Sequence, residues 1–353
     1  MSDKNQSVEI EIGKNIPDTL LRRTQTYKRN VAQNNVRSVN QIMSNDEFTA
    51  TDSCPICDTT SSKLGEVQGI PYMICAFCGH IFSMIIPIDS ALDRHYNPEE
   101  ANIEFPHDLV SHQRKTYVLD PLSARMRKSG VEEVKANWLK SKINRENANP
   151  LLIDVGCGSG FFLEAAREIG FSVCGIEMDT ELGEECQKKG IPTLIQKVPG
   201  QAWPQELKGA DIVTLLNLVE HVADPVKFIC GLATILKPDA WIVIEVPRAE
   251  SISTLVNVAF PGSTYRHLTP PEHLHVFSDK SIRLLLEKAE LSIIHDWRFG
   301  SDAITLLDSI LPNDAQDLEA IFSGSFVNKL QEVIDNYGMS DNRIVIARKI
   351  SSR

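Results

Sequence analysis

The segment Asp154-Val-Gly156-Cys-Gly158-Ser-Gly160 constrains this chain more than any other. It closes the apolar run Leu151-Leu-Ile-Asp-Val155 and opens a helical pattern over 160–169. Glycines at alternate positions between a strand and a helix make a turn whose backbone a ligand can approach closely, because no Cβ stands in the way. In open α/β sheets ligands bind at that carboxyl edge. The dinucleotide fingerprint G-x-G-x-x-G/A requires a small residue at position 161, but the chain has Phe161 there and its third glycine comes one place early. Asp154 would also meet the pyrophosphate of a dinucleotide charge against charge. A carboxylate at this point suits a cationic ligand carrying an ammonium or sulfonium group, and S-adenosylmethionine has that charge pattern.

The surrounding text alternates short apolar strands with amphipathic helices, the pattern of a parallel sheet covered on both faces. Strands are expected over 151–155, 172–176, 192–196, 211–216 and 241–246, with helices over 160–169, 180–189 and 225–236. A long loop over 247–277 follows. Ser278 then reads as an N-cap for a helix over 279–289. Two last strands, 291–298 and 343–347, flank a helical insert over about 303–337. Before this domain, which begins at residue 151, come three stretches: an arm over 1–50, helical only around 18–39; a small cysteine-rich module over 51–88; and a helical linker or lid over 89–150.

A second acid, Glu177, closes the second strand 21 residues after Gly156. Its two oxygens can accept both hydroxyl protons of a ribose, which indicates an adenosine ligand without saying which one. After the fourth strand, Asn217-Leu-Val-Glu-His-Val-Ala-Asp-Pro225 lies at the same sheet edge, where it can line cofactor or acceptor.

These residues, with Ile235-Leu-Lys-Pro-Asp-Ala240 before the fifth strand, resemble the class I S-adenosylmethionine-dependent methyltransferases over 153–247. The resemblance implies a Rossmann-like α/β fold with a seven-stranded, mostly parallel sheet whose last strand is inserted antiparallel. It implies methyl transfer, with Asp154, Gly156, Cys157, Gly158 and Gly160 around the methionyl part of the donor, Glu177 on the ribose, Met178 near the adenine and Asn217 lining the site.

Cys54-Pro-Ile-Cys57 and Cys75-Ala-Phe-Cys78 form two C-x-x-C knuckles separated by 17 residues, a spacing suited to a four-thiolate zinc site. Four protein ligands leave no place for water, so such a zinc is structural. His80 reads as a packed neighbour, and Cys157, Cys174, Cys186 and Cys230 as small buried hydrophobes. A zinc ribbon ahead of a class I domain resembles both the zinc-containing sugar C-methyltransferases and certain ribosomal RNA guanine methyltransferases. Charge separates the two. With 36 Lys and Arg against 47 Asp and Glu, the formal net charge is -11, which disfavours a partner made of phosphates. A small-molecule or nucleotide-sugar acceptor is therefore expected, with an RNA substrate or a non-catalytic docking protein as alternatives.

Methyl transfer to a hydroxyl or carbon acid needs a base near the methyl group. Thr269-Pro-Pro-Glu272-His273-Leu-His275-Val-Phe-Ser278 concentrates a carboxylate and two imidazoles between the fifth strand and the next helix. Glu272 and His273 match the Glu-His pair of the sugar C-methyltransferases, while Pro271 stands where that family has its first histidine. His221 is a further candidate base. The competing reading is a loop that only caps its helix. Tyr96 is a candidate acceptor contact, and Arg94, Arg248, Arg266 and His267 could neutralise a substrate phosphate. Paired thiols suggest a reducing compartment, and no run reaches the about 20 apolar residues a membrane helix needs, so a cytoplasmic protein is expected.

Overall fold

The computed structural model describes residues 8–13, 25–96, 125, 128–143, 149–199, 202–261, 266–310 and 322–349. Much of the helical linker or lid expected over 89–150 lies outside them. The amino-terminal part holds β1 (Glu9–Ile12), α1 (Gln25–Ser44), β2 (Phe48–Ala50), β3 (Ser61–Val67), β4 (Ile70–Cys75), β5 (Ile81–Ser83), β6 (Ile85–Pro87) and α2 (Asp89–Tyr96). A π-helical turn over Lys128–Glu132 leads into α3 (Glu133–Lys142). The α/β alternation then runs β7 (Leu151–Val155), α4 (Phe161–Glu168), β8 (Ser172–Glu177), α5 (Thr180–Lys188), β9 (Thr193–Ile195), β10 (Ile212–Leu216), α6 (Pro225–Ile235) and β11 (Trp241–Pro247). It closes with α7 (Ile252–Ala259), β12 (His275–Val276), α8 (Asp279–Lys288), β13 (Leu291–Phe299), α9 (Asp302–Ile310), α10 (Gly324–Asn336) and β14 (Asn342–Lys349).

The main sheet has the order β1-β13-β14-β11-β10-β7-β8-β9. Neighbours from β9 to β11 pair parallel, and β14 lies antiparallel between β11 and β13. Those seven strands are the Rossmann-like sheet expected from the sequence. Successive residues of β7 serve opposite faces: Leu152 packs with Leu139, Phe162 and Val243, while Ile153 packs with Val213, Phe228 and Leu232. Both residues are fully buried, each contributing about 1.5–3 kcal/mol, so the strand edge is a rigid base for the turn that follows.

Two elements differ from the sequence expectation. The arm supplies an eighth strand, because β1 pairs parallel with β13, Trp297 Nε1 donates to Gly13 O at 2.6 Å, and Trp138 Nε1 donates to Glu11 Oε2 at 2.9 Å. The loop expected over 247–277 contains α7, capped by Ser251, whose side chain accepts from Thr254 N. The cap at Ser278 is present, reinforced by Ser281 in a reciprocal pair.

Candidate active site

The glycine turn sits at the carboxyl end of β7. Gly160 has φ +79°, and a Cβ there would collide with Cys186 Sγ, so only glycine lets α4 start against α5. Gly158 has φ +53° and nothing within 4 Å of where a Cβ would stand, which leaves its backbone open to a ligand. Glu177 closes β8 and grips this turn: its Oε2 accepts from Gly158 N at 2.7 Å and its Oε1 from Asp179 N at 2.9 Å. A carboxylate has about four acceptor positions, so lone pairs remain for two ribose hydroxyls. Met178 beside it is half-buried, and Asn217 is exposed, with φ +52° and its N–H on Glu245 O at 3.0 Å.

Asp154 is only 3% exposed, and Thr214 Oγ1 donates to its Oδ1 at 2.5 Å. Burial pushes its pKa up to about 8, with the Thr214 hydrogen bond opposing. Around it the fold gathers further acids that the sequence reading passed over. Lys135 of α3 pairs with Glu245 at 2.7 Å and approaches Glu132 at 3.9 Å, and Asn342 Nδ2 donates to Glu245 Oε1 at 2.7 Å. Glu220, in a short turn over Val219–His221, is 1% exposed, and burial first, then Glu245, push its carboxyl up to about 8. Lys135 thus meets Glu132, Glu220 and Glu245, while Asp154 feels Glu132 and Glu177, a concentration of buried acids that favours an added cation.

The cysteine quartet comes together. Sγ atoms of Cys54 and Cys78 lie 3.6 Å apart, those of Cys57 and Cys75 3.5 Å, and those of Cys57 and Cys78 3.6 Å. Zinc–sulfur bonds of about 2.3 Å give tetrahedron edges of about 3.8 Å, so the four thiols fit that ion. What this knuckle holds has no signal in the sequence. The short strand β12 joins β5, pairing His275 with Phe82 and Val276 with Ile81, so the candidate catalytic loop is the fourth strand of the cysteine module's own sheet. Ser83 N donates to Leu274 O at 2.9 Å, Tyr72 Oη to His273 O at 2.9 Å, and Ser278 Oγ to Cys78 O. His80, fully buried, lies 3.1 Å from His275 Nδ1 and 3.3 Å from Ser281 Oγ, which makes it a packed neighbour.

The loop places His273 against His221, with ring centroids 4.8 Å apart and planes near perpendicular. Burial lowers the pKa of both imidazoles, His273 well below the ordinary value, so both are neutral near pH 7. His221 Nδ1 faces Glu272 O at 3.0 Å, and His273 Nδ1 faces His267 O at 3.1 Å. Glu272 points elsewhere, onto His95 Nε2 at 3.1 Å; burial raises its pKa, but the His95 hydrogen bond and charge override that and hold it at about 2. His95 gave no signal in sequence, because only the docking of α2 brings it here.

The cations considered for a substrate phosphate have internal partners. Arg94 pairs with Glu47, Arg248 with Asp279 at 3.1 Å, Arg266 with Asp341 at 2.7 Å, and His267 with Asp341 at 3.3 Å. The side chain of Tyr96 lies outside the described residues. Of the remaining cysteines, Cys157 and Cys186 are buried while Cys174 and Cys230 are partly exposed.

Comparison with known proteins agrees with this geometry. Residues 125–296 match the family described as Methyltransferase domain. The chain is 26% identical over 153 residues to a ubiquinone biosynthesis O-methyltransferase of Burkholderia thailandensis, covering 42% of this chain and 64% of that one. It is 30% identical over 137 residues to the protein of the same name from Colwellia psychrerythraea, covering 37% and 54%. The chain thus spans less than two thirds of these curated relatives. Among solved structures, magnesium protoporphyrin IX methyltransferase from Synechocystis PCC 6803, with bound SAH, is 15% identical with a TM-score of 0.46, covering 74% of this chain and all of that one. Residues 125–296 thus match a methyltransferase-domain family, and the sheet order is that of the Rossmann-like class I methyltransferase fold.

Proposed function

We propose that this protein transfers the methyl group of S-adenosylmethionine to an oxygen of a small-molecule acceptor, with a structural zinc on Cys54, Cys57, Cys75 and Cys78. The observation that carries the reading is the meeting, at one sheet edge, of an open glycine turn, a buried carboxyl and two neutral imidazoles. Gly156 to Gly160 and Asp154 take the methionyl part, Cys157 lies within the turn, Glu177 takes the ribose, Met178 borders the adenine and Asn217 lines the rim. An acceptor oxygen forms its bond to the methyl carbon as the carbon–sulfur bond breaks. The electron pair leaves with S-adenosylhomocysteine, and the hydroxyl proton passes to His273 or His221. Glu272, held by His95, positions the loop.

The names of the curated relatives, ubiquinone biosynthesis O-methyltransferases, support oxygen as the acceptor atom. A nucleotide-sugar acceptor is the second reading, favoured by the cysteine module that grips the Glu272-His273 loop. The net charge of -11 weighs against RNA. No described helix is long and apolar enough to cross a membrane, and the thiol quartet supports a reducing compartment such as the cytoplasm.

Calorimetry tests the donor site. Glu177→Ala should weaken S-adenosylmethionine binding by roughly 10–100-fold, the loss of charge-assisted hydrogen bonds worth about 1.5–3 kcal/mol. The pH dependence has a fixed sign. Asp154 is raised from 3.8 to about 8, so its contribution to stability is present below about 4 and is lost as pH rises through 8. A bound cation favours the ionised form, so donor binding below pH 8 releases protons and its affinity falls as pH is lowered. Asp154→Asn should flatten that dependence. Unchanged affinity in Glu177→Ala and an unchanged pH slope in Asp154→Asn would remove the donor from this edge.

A further inference from the structure

Glu220 Oε2 is a buried carboxylate oxygen with no hydrogen-bond partner, in a residue 1% exposed. An ionised oxygen in that position is unfavourable unless a cation meets it. Two imidazoles stand beside it. One ligand atom each from Glu220, His221 and His273 lies within 4.8 Å of the others, a grouping able to hold a metal ion. Both imidazoles have Nδ1 beside a backbone carbonyl, Glu272 O for His221 and His267 O for His273, the kind of outer contact that orients a metal-ligating histidine.

The three residues do not come from one flexible strand of chain. Glu220 and His221 follow β10, and His273 comes from the loop clamped by the cysteine module. Leu274 N donates to Glu220 O at 2.8 Å, which ties the two segments together beside the trio. Leu218, two residues earlier, packs 3.3 Å from where a Cβ of Gly156 would stand, so the trio is next to the donor turn. Two imidazoles and one carboxylate make a borderline donor set that suits zinc or ferrous ion over magnesium, and three protein ligands leave coordination positions open.

We propose that Glu220, His221 and His273 hold a divalent transition-metal ion, separate from the tetrathiolate zinc, whose open positions take the oxygens of the methyl acceptor. The inference rests on the methyltransferase reading of the site and changes the part of the imidazoles from taking a proton to holding a cation, which acidifies a bound hydroxyl so that its proton passes to water. The acceptor class it selects is one with two neighbouring oxygens, such as a vicinal diol, a catechol or a hydroxy acid, which can bind an ion through both.

The test is zinc stoichiometry on the full chain, saturated with zinc and dialysed against zinc-free buffer, with S-adenosylmethionine affinity measured on the same samples. Wild type should retain about two equivalents, and Glu220→Gln and His273→Ala about one. Cobalt substitution gives a second readout, since an ion on nitrogen and oxygen lacks the sulfur charge-transfer bands of a tetrathiolate. One equivalent in wild type, or two surviving in both variants, overturns the proposal. If donor affinity stays intact in that outcome, the metal site alone fails; if wild type binds no donor, the reading beneath it fails.

Discussion

A Cys75→Ser, Cys78→Ser chain is expected to lose the proposed zinc and, with it, the loop that carries Glu272 and His273. Structural zinc on thiolates supplies on the order of 10 kcal/mol to modules this small, so the metal's binding energy is the knuckle's folding energy. Here the knuckle is built into the rest. Cys54, Cys75, Cys78 and Phe82 share one buried cluster with Ile244, Leu285 and Phe277 of the methyltransferase domain. Lys280 Nζ donates to Phe77 O at 2.7 Å and sits 3.5 Å from the centre of its ring. Once the knuckle unravels, β5 no longer templates β12, and Tyr72 no longer holds His273 O. Metal analysis should show the loss of about one equivalent. Hydrogen exchange should show early deprotection over 54–83 and 269–278, while β7 and β10 stay protected. Turnover should fall by at least tenfold, the low end for a displaced catalytic group at about 10²–10⁴. Retained metal would dismiss the quartet as a site, and an unaffected loop would confine its role to the knuckle.

Replacing His273 by Ala should cost about 10²–10⁴ in kcat while leaving donor affinity within about twofold, because the imidazole acts on the acceptor and touches neither the glycine turn nor Glu177. Glu272→Gln should cost less. A carboxylate held near 2 by His95 is a weak proton acceptor, and Gln keeps a carbonyl oxygen for that histidine. Steady-state kinetics with the donor saturating check the order of the two effects. If Glu272→Gln is the more damaging, the carboxylate and not the imidazole acts on the acceptor.

Much of the fold was readable because β7, β10 and β11 are buried on both faces and therefore appear as unbroken apolar runs between turn signals. β1 escaped that reading. Its four residues Glu-Ile-Glu-Ile alternate correctly, but a strand that short is stabilised by what it pairs with, and β13 lies at the other end of the chain. Helix α7 escaped because its cap, Ser251, stands among loop residues and its partners on α9 are likewise distant in sequence.

The site divides in the same way. The glycine turn, Glu177 and the C-x-x-C knuckles are local spacings that carry their chemistry on the surface of the text. Lys135, Glu245 and His95 are single polar residues on ordinary helices and strands, and their meaning comes only from docking: α3 laid over the sheet edge brings Lys135 onto Glu245, and α2 brings His95 onto Glu272. Neither pairing has a sequence period. The Glu272-His273 pair was legible as chemistry but not as geometry, since adjacent residues in a turn send their side chains to different partners.

Whether a cationic methyl donor lies on the turn after β7 is decided by a crystal structure of the protein grown with S-adenosylmethionine. Electron density is expected along Gly156 to Gly160, with the ribose hydroxyls on Glu177 and the adenine beside Met178. Density for the donor at another edge of the sheet, or a nicotinamide dinucleotide bound along this turn in its place, would contradict it.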